Sequence, residues 1–182
     1  TKWLLSSKVP FRDSQGNILG LVGLNRDITE LKQTEKTLRN QAILLRAIAG
    51  AMTRLLVGSD FESSIAESLE ALGFATGVDR IYIFETHYHP GNSEPLMSQR
   101  YTWAQNLFEV QITVPDLQNL PYRKEFSRWY DLLSSNKVIE GLIRDFPPSE
   151  RKRLESQGII STLVVPITIR DRFWGFIGFD NC

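Results

Sequence analysis

The 182-residue chain lacks most of what would mark it for a particular chemistry. It has one cysteine, Cys182, which excludes an internal disulfide framework and fits a reducing compartment. It has no excess charge, because 21 Lys and Arg balance 21 Asp and Glu. No net field therefore draws in nucleic acid or an anionic membrane. No apolar run approaches the roughly 20 residues that cross a bilayer. Thr1-Lys2-Trp3 leads into a strand-like stretch and not into a signal peptide. Internal repeats and low-complexity segments are missing too. The expectation is a cytoplasmic, soluble piece of a longer protein, with no nucleic-acid or membrane partner, holding one globular domain and an appendage.

What is present changes period along the chain. Residues 3–9 and 18–25 read as the arms of a hairpin turning at Asp13-Ser14-Gln15-Gly16-Asn17. A two-stranded hairpin is marginal alone, so this one needs a surface to lie on. Asp27-Ile28-Thr29-Glu30 has the spacing of a capping box, with Asp27 accepting from the Glu30 N–H, and predicts a helix over 28–56. About 29 residues make a rod of about 43 Å. Leu31, Leu38, Leu45 and Met52 recur every seventh residue, and Thr34, Gln41, Ile48 and Leu55 form the row three positions later. That pattern predicts a seam between two long helices, a homodimer whose register Thr34 and Gln41 set. A lone amphipathic helix packed on its own domain is the alternative.

Ser59-Asp60-Phe61-Glu62 repeats the capping pattern and opens a second helix, with Phe61, Ile65, Leu69 and Leu72 on one face. Strands are expected over 80–86, 96–103, 108–114, 138–143, 159–169 and 173–180, and helices over 121–134 and 148–157. The fold class is α+β, an antiparallel sheet of five or six strands with helices 28–56 and 60–75 on one face, preceded by the hairpin. Val164-Val165 and Phe176-Ile177 belong to its central strands.

Two resemblances follow from particular residues. Trp3, Ser6, Pro10, Asp13, Gly16, Ile18, Gly20, Gly23 and the run Arg26-Asp27-Ile28-Thr29-Glu30, with Lys32, Glu35 and Leu38 after it, resemble the C-terminal (PAC) end of a PAS domain. The match covers its last two strands, so no PAS ligand is implied. From about residue 44 the chain resembles a GAF domain of bacterial multi-sensor histidine kinases. The matching runs are Trp129-Tyr130-Asp131-Leu132-Leu133, Phe146-Pro147-Pro148-Ser149-Glu150-Arg151, Leu154-Glu155-Ser156-Gln157-Gly158, Val165-Pro166-Ile167 and Phe173-Trp174-Gly175-Phe176-Ile177-Gly178-Phe179-Asp180. The resemblance implies a GAF-type sheet and three parts: a PAS hairpin at 1–27, a signalling helix at 28–57 and a GAF domain at 58–182. It further implies a sensory module of a two-component protein, passing signals along a coiled helix to an output domain outside this chain. Neither a phosphorylatable-His helix nor an ATP-binding motif appears, so the expectation is that this stretch is not an enzyme. The alternatives are a bilin photoreceptor, an enzymatic GAF fragment, or the sensor of a diguanylate cyclase.

Candidate chemistry is thin. His87 and His89 are spaced to share a strand face, but no Cys or third His joins them, and solvated turn residues are the simpler reading. Cys182 has no partner cysteine for redox catalysis. Bilin attachment in GAF domains uses a Cys in the middle helical region, and 121–134 has none. Asn136-Lys137, Phe146 and Glu150 loosely match the cyclic-nucleotide GAF motif, yet Arg151 stands where a second acid belongs. Gly175 and Gly178 precede no helix and form no phosphate loop. The aromatic set Trp103, Phe108, Phe126, Trp129 and Tyr130 is the candidate ligand pocket, with Arg128, Ser161 and Thr162 as its polar groups, placed between the sheet and 107–143. A filled core is the competing reading. No cofactor or ligand is named by these residues.

Overall fold

A computed structural model of the chain describes residues 1–58, 60–105 and 117–182, apart from the Glu125 side chain, and divides into two compact units, Thr1–Leu45 and Arg46–Cys182. In the first, β1 (Leu4–Arg12) pairs antiparallel with β2 (Ile18–Asp27). The Asp13 carboxylate makes the turn by accepting from the N–H groups of Gln15 (2.9 Å) and Asn17 (2.8 Å), while Gly16 takes φ +89°. Helix α1 (Thr29–Val57) begins where the hairpin closes. The Trp3 carbonyl accepts from Ile28 N–H, and Trp3 N–H donates to the Thr29 hydroxyl, both at 2.9 Å. Asp27 accepts from Thr29 N–H at 2.9 Å and not from Glu30, so the cap is one residue tighter than the expected box. The hairpin exposes apolar side chains along its length, including Trp3, Phe11, Leu21 and Leu24.

The second unit holds a six-stranded antiparallel sheet in the order β5-β4-β3-β8-β7-β6. Its strands are β3 (Arg80–Tyr88), β4 (Pro95–Ala104), β5 (Leu120–Pro121), β6 (Ile139–Leu142), β7 (Ser161–Ile169) and β8 (Arg172–Asn181). The apolar doublets sit as expected, with β8 between β3 and β7, and β7 paired on both sides. Helix α2 (Phe61–Thr76) starts at Asp60, whose carboxylate accepts from Glu62 N–H at 3.2 Å and from the Ser63 hydroxyl. The expected cap residue Ser59 and the expected strand 108–114 lie outside the described residues. Gly77 closes α2 at φ +70°.

The sheet buries both faces, and the two faces differ. On one, Ile65 and Leu69 of α2 pack on Ile81, Ile83, Ile177 and Phe179. Of α1, Ala51 is the buried residue, and its carbonyl lies 3.5 Å from the Ser68 hydroxyl of α2. On the other face, Tyr82, Phe84, Val164 and Phe176 meet the aromatic segment. That segment was expected as one helix over 121–134. It breaks at Phe126 (φ −127°, ψ 30°) into α3 (Tyr122–Glu125) and α4 (Ser127–Ser134). Tyr122, Phe126, Trp129 and Leu133 keep the i, i+4, i+7, i+11 spacing of one helical stripe, and all four bury across the break. The expected strand 138–143 ends at Leu142 and becomes a 3-10 turn, Ile143–Asp145, before α5 (Pro148–Glu155).

Candidate functional site

A cavity of about 60 Å³ lies on the aromatic face. Its apolar wall comes from Tyr82 and Phe84 of β3, Met97 of β4, Phe176 of β8, Phe126 and Trp129 of the broken helix, and Leu117, Leu120, Leu154 and Ile159. Its polar lining is Arg80, Gln99, Arg153 and Gln157. A space of that size takes a few waters or a very small molecule.

Strand periodicity explains which side chains arrive there. Arg80, Tyr82 and Phe84 alternate onto the cavity face, and Ile81 and Ile83 onto the α2 face. In β4 the same parity would carry Met97, Gln99, Tyr101 and Trp103 to one side. The register with β3 shifts between Ile83 and Phe84, a bulge that switches sides within β4. Met97 and Gln99 therefore line the cavity, while Tyr101 and Trp103 pack against α2. Trp103, grouped in the sequence with the pocket aromatics, stands on the opposite face. It meets Phe74 edge-on at 5.5 Å, and a side chain at Gly73 would run into its ring.

The remaining candidates divide. Phe126 and Trp129 line the cavity, their rings 4.9 Å apart. Tyr130 points elsewhere, its ring tilted against Tyr122 and edge-on to Phe173. Its hydroxyl is pushed up to about 12 by a hydrogen bond with Tyr88 and by burial. Ser161 accepts from the Asn181 amide at 3.1 Å, away from the cavity. Phe108 lies outside the described residues. The seam candidates Leu31, Leu38, Leu45 and Met52 are 59–66% exposed.

Two buried ionic networks border the aromatic core, and the sequence did not reveal either. Asp180 is fully buried at the end of β8. It accepts from Arg80 Nη2 at 2.7 Å, from the Thr162 hydroxyl at 2.6 Å and from the Tyr82 hydroxyl at 3.3 Å. Burial raises its carboxyl above the usual carboxylate value, although Arg80 and the hydroxyls pull the other way. Glu150, 2% exposed, accepts from Arg128 through Nε (2.9 Å) and Nη2 (2.6 Å) and from the Trp129 indole N–H at 2.9 Å. Arg128 and Thr162, expected as pocket groups, are thus committed to Glu150 and Asp180. Glu150 pairs with Arg128, and Arg151 follows it where the cyclic-nucleotide motif has a second acid.

His87 Nε2 lies 2.8 Å from the Ser98 hydroxyl, and His89 Nδ1 accepts from Gly91 N–H at 3.1 Å. Among the described residues no group of three or more His, Cys, Asp and Glu is placed to hold a metal ion, and no helix is long and apolar enough to cross a membrane.

No family model matches the chain. Over 175 residues, 96% of its length, it is 46% identical to the methanogenesis regulatory histidine kinase FilI of Methanothrix harundinacea (strain 6Ac). The chain spans 20% of that relative. The phycoerythrobilin-bound GAF domain of a cyanobacterial phytochrome is 17% identical at a TM-score of 0.58, covering 78% of this chain and 80% of that one. A phycocyanobilin-bound GAF domain from a cyanobacterial phytochrome is 19% identical at 0.54, covering 78% and 79%. At these identities the likeness concerns the fold, which is that of a GAF domain.

Proposed function

We propose that the chain is a sensory module of a histidine-kinase-type signalling protein. In this reading, occupancy of the GAF cavity biases the pairing of two copies through α1 and so reaches an output domain in the longer protein. The observation that carries it is the 46% identity to a stretch of a regulatory histidine kinase over nearly the whole chain. The exposed row Leu31, Leu38, Leu45 and Met52 supports pairing, because four large apolar side chains at heptad spacing form a self-complementary seam. Residues 1–27 act as the closing hairpin of a PAS domain, 28–57 as the signalling helix and 58–182 as the GAF domain. The exposed apolar hairpin supports the first of these, since its two faces need a cover. The stretch itself catalyses nothing and works in the cytoplasm. A bilin reading gains little support from a cavity of about 60 Å³.

Light scattering tests the assembly. The 182-residue chain is expected at twice its 20.8 kDa mass at micromolar concentration, and a Leu38→Glu/Leu45→Glu double variant at the single mass. A single mass for the unaltered chain would overturn the pairing and leave α1 as an intramolecular support.

A further inference from the structure

Two polar groups on the cavity wall are left with hydrogen-bonding capacity. Arg80 spends Nε and Nη2 on Asp180, at 3.3 and 2.7 Å, and Nη2 also reaches the Gln157 side-chain oxygen at 3.4 Å. The two N–H groups of Nη1 make no hydrogen bond to a described residue. The Gln99 side-chain amide makes none either, because its residue is engaged through the backbone carbonyl, which accepts from Gln118. Neither is sealed away, since among the described residues no buried side-chain nitrogen or oxygen lacks a partner. Both residues line the cavity. Two arginines, Arg80 and Arg153, line the cavity, and no acid does among the described residues. The rest of the wall is aromatic or aliphatic, with Phe84, Trp129 and Phe176 at its centre.

We propose that the cavity takes a short-chain carboxylate, its head on the free edge of Arg80 and the Gln99 amide, its alkyl tail among Phe84, Trp129 and Phe176. Guanidinium and amide donors match a carboxylate, and the ionised pair is stronger than its neutral counterpart. The small volume limits the tail to a few carbons. A carboxylate on Arg80 shares with Asp180 the charge of one guanidinium. Asp180 stands two residues before Cys182 at the end of β8, so occupancy acts on the strand end. This inference rests on the sensory reading above and names the class of ligand for it.

Calorimetric titration of the 182-residue chain with sodium butyrate, butyramide and 1-butanol, at ionic strength held constant with sodium chloride, tests it. Butyrate is expected to bind saturably and about tenfold more tightly than butyramide, the difference between a charge-assisted and a neutral hydrogen bond. Gln99→Leu, which leaves the Arg80–Asp180 pair intact, should weaken butyrate about tenfold and leave 1-butanol unchanged. Equal binding of the three probes would overturn the carboxylate and keep a sensing cavity. No binding by any of them would likewise overturn the carboxylate, and light scattering reads the pairing of the sensory module separately.

Discussion

Asp180→Ala is expected to cost the domain about 3–5 kcal/mol, the range for removing one partner of a buried ion pair. The carboxylate has no exposure and gathers three donors from three residues. Without it, the Arg80 guanidinium retains, among the described residues, the Gln157 oxygen and the Tyr82 ring, and the Tyr82 and Thr162 hydroxyls lose this acceptor. The unpaired charge, more than the lost attraction, sets the size of the effect. Urea denaturation of the 182-residue chain reads it directly. A loss under about 1 kcal/mol would mean that Arg80 finds water and that the site is wet. The pH dependence has a definite sign. Burial raises the Asp180 carboxyl in the fold, so the part of the stability linked to its proton is present below the ordinary Asp value and is lost as pH rises through its own. The disadvantage of Asp180→Asn, which cannot titrate, should accordingly be largest in acid and shrink on raising the pH.

Trp129→Ala should cost about 3–5 kcal/mol as well, by a different route. The ring is 3% exposed, meets Phe126 at 4.9 Å and Phe176 at 6.0 Å, and forms part of the cavity wall. Truncation merges the ring's volume with the cavity and takes the indole N–H from Glu150, which keeps its two-point contact with Arg128. Trp129→Phe should recover most of the packing and lose the hydrogen bond, for a cost near 1 kcal/mol. Thermal and urea unfolding of both variants check this. An unchanged midpoint for Trp129→Ala would contradict the burial on which the site rests.

These residues also show how far the sequence could be read. Alternation in 80–86 and 96–103 announced the hairpin of β3 and β4, and the dense apolar runs of β7 and β8 announced the middle of the sheet. The bulge in β4 was invisible, since no glycine or proline marks it, and it moved Trp103 from the cavity to α2. The break at Phe126 was hidden for a similar reason: the inward residues 122, 126, 129 and 133 keep the spacing of one continuous helix across it. The burial of Asp180 and Glu150 was not legible, because it depends on Arg80 and Arg128, 100 and 22 residues away in the chain. The heptad row Leu31, Leu38, Leu45 and Met52 could be read because its spacing is local, and the structure leaves its side chains exposed.

Disulfide trapping at position 38 tests the central claim, that two copies pair in parallel through α1. With Cys182→Ser removing the native thiol, Leu38→Cys places one thiol on the proposed seam, and Lys36→Cys places one on the outward face. Parallel pairing brings residue 38 of each copy opposite itself, at a separation a disulfide can bridge. The account predicts that mild oxidation links Leu38→Cys chains into a covalent dimer and leaves Lys36→Cys chains single. Equal linking of the two, or none, would contradict it.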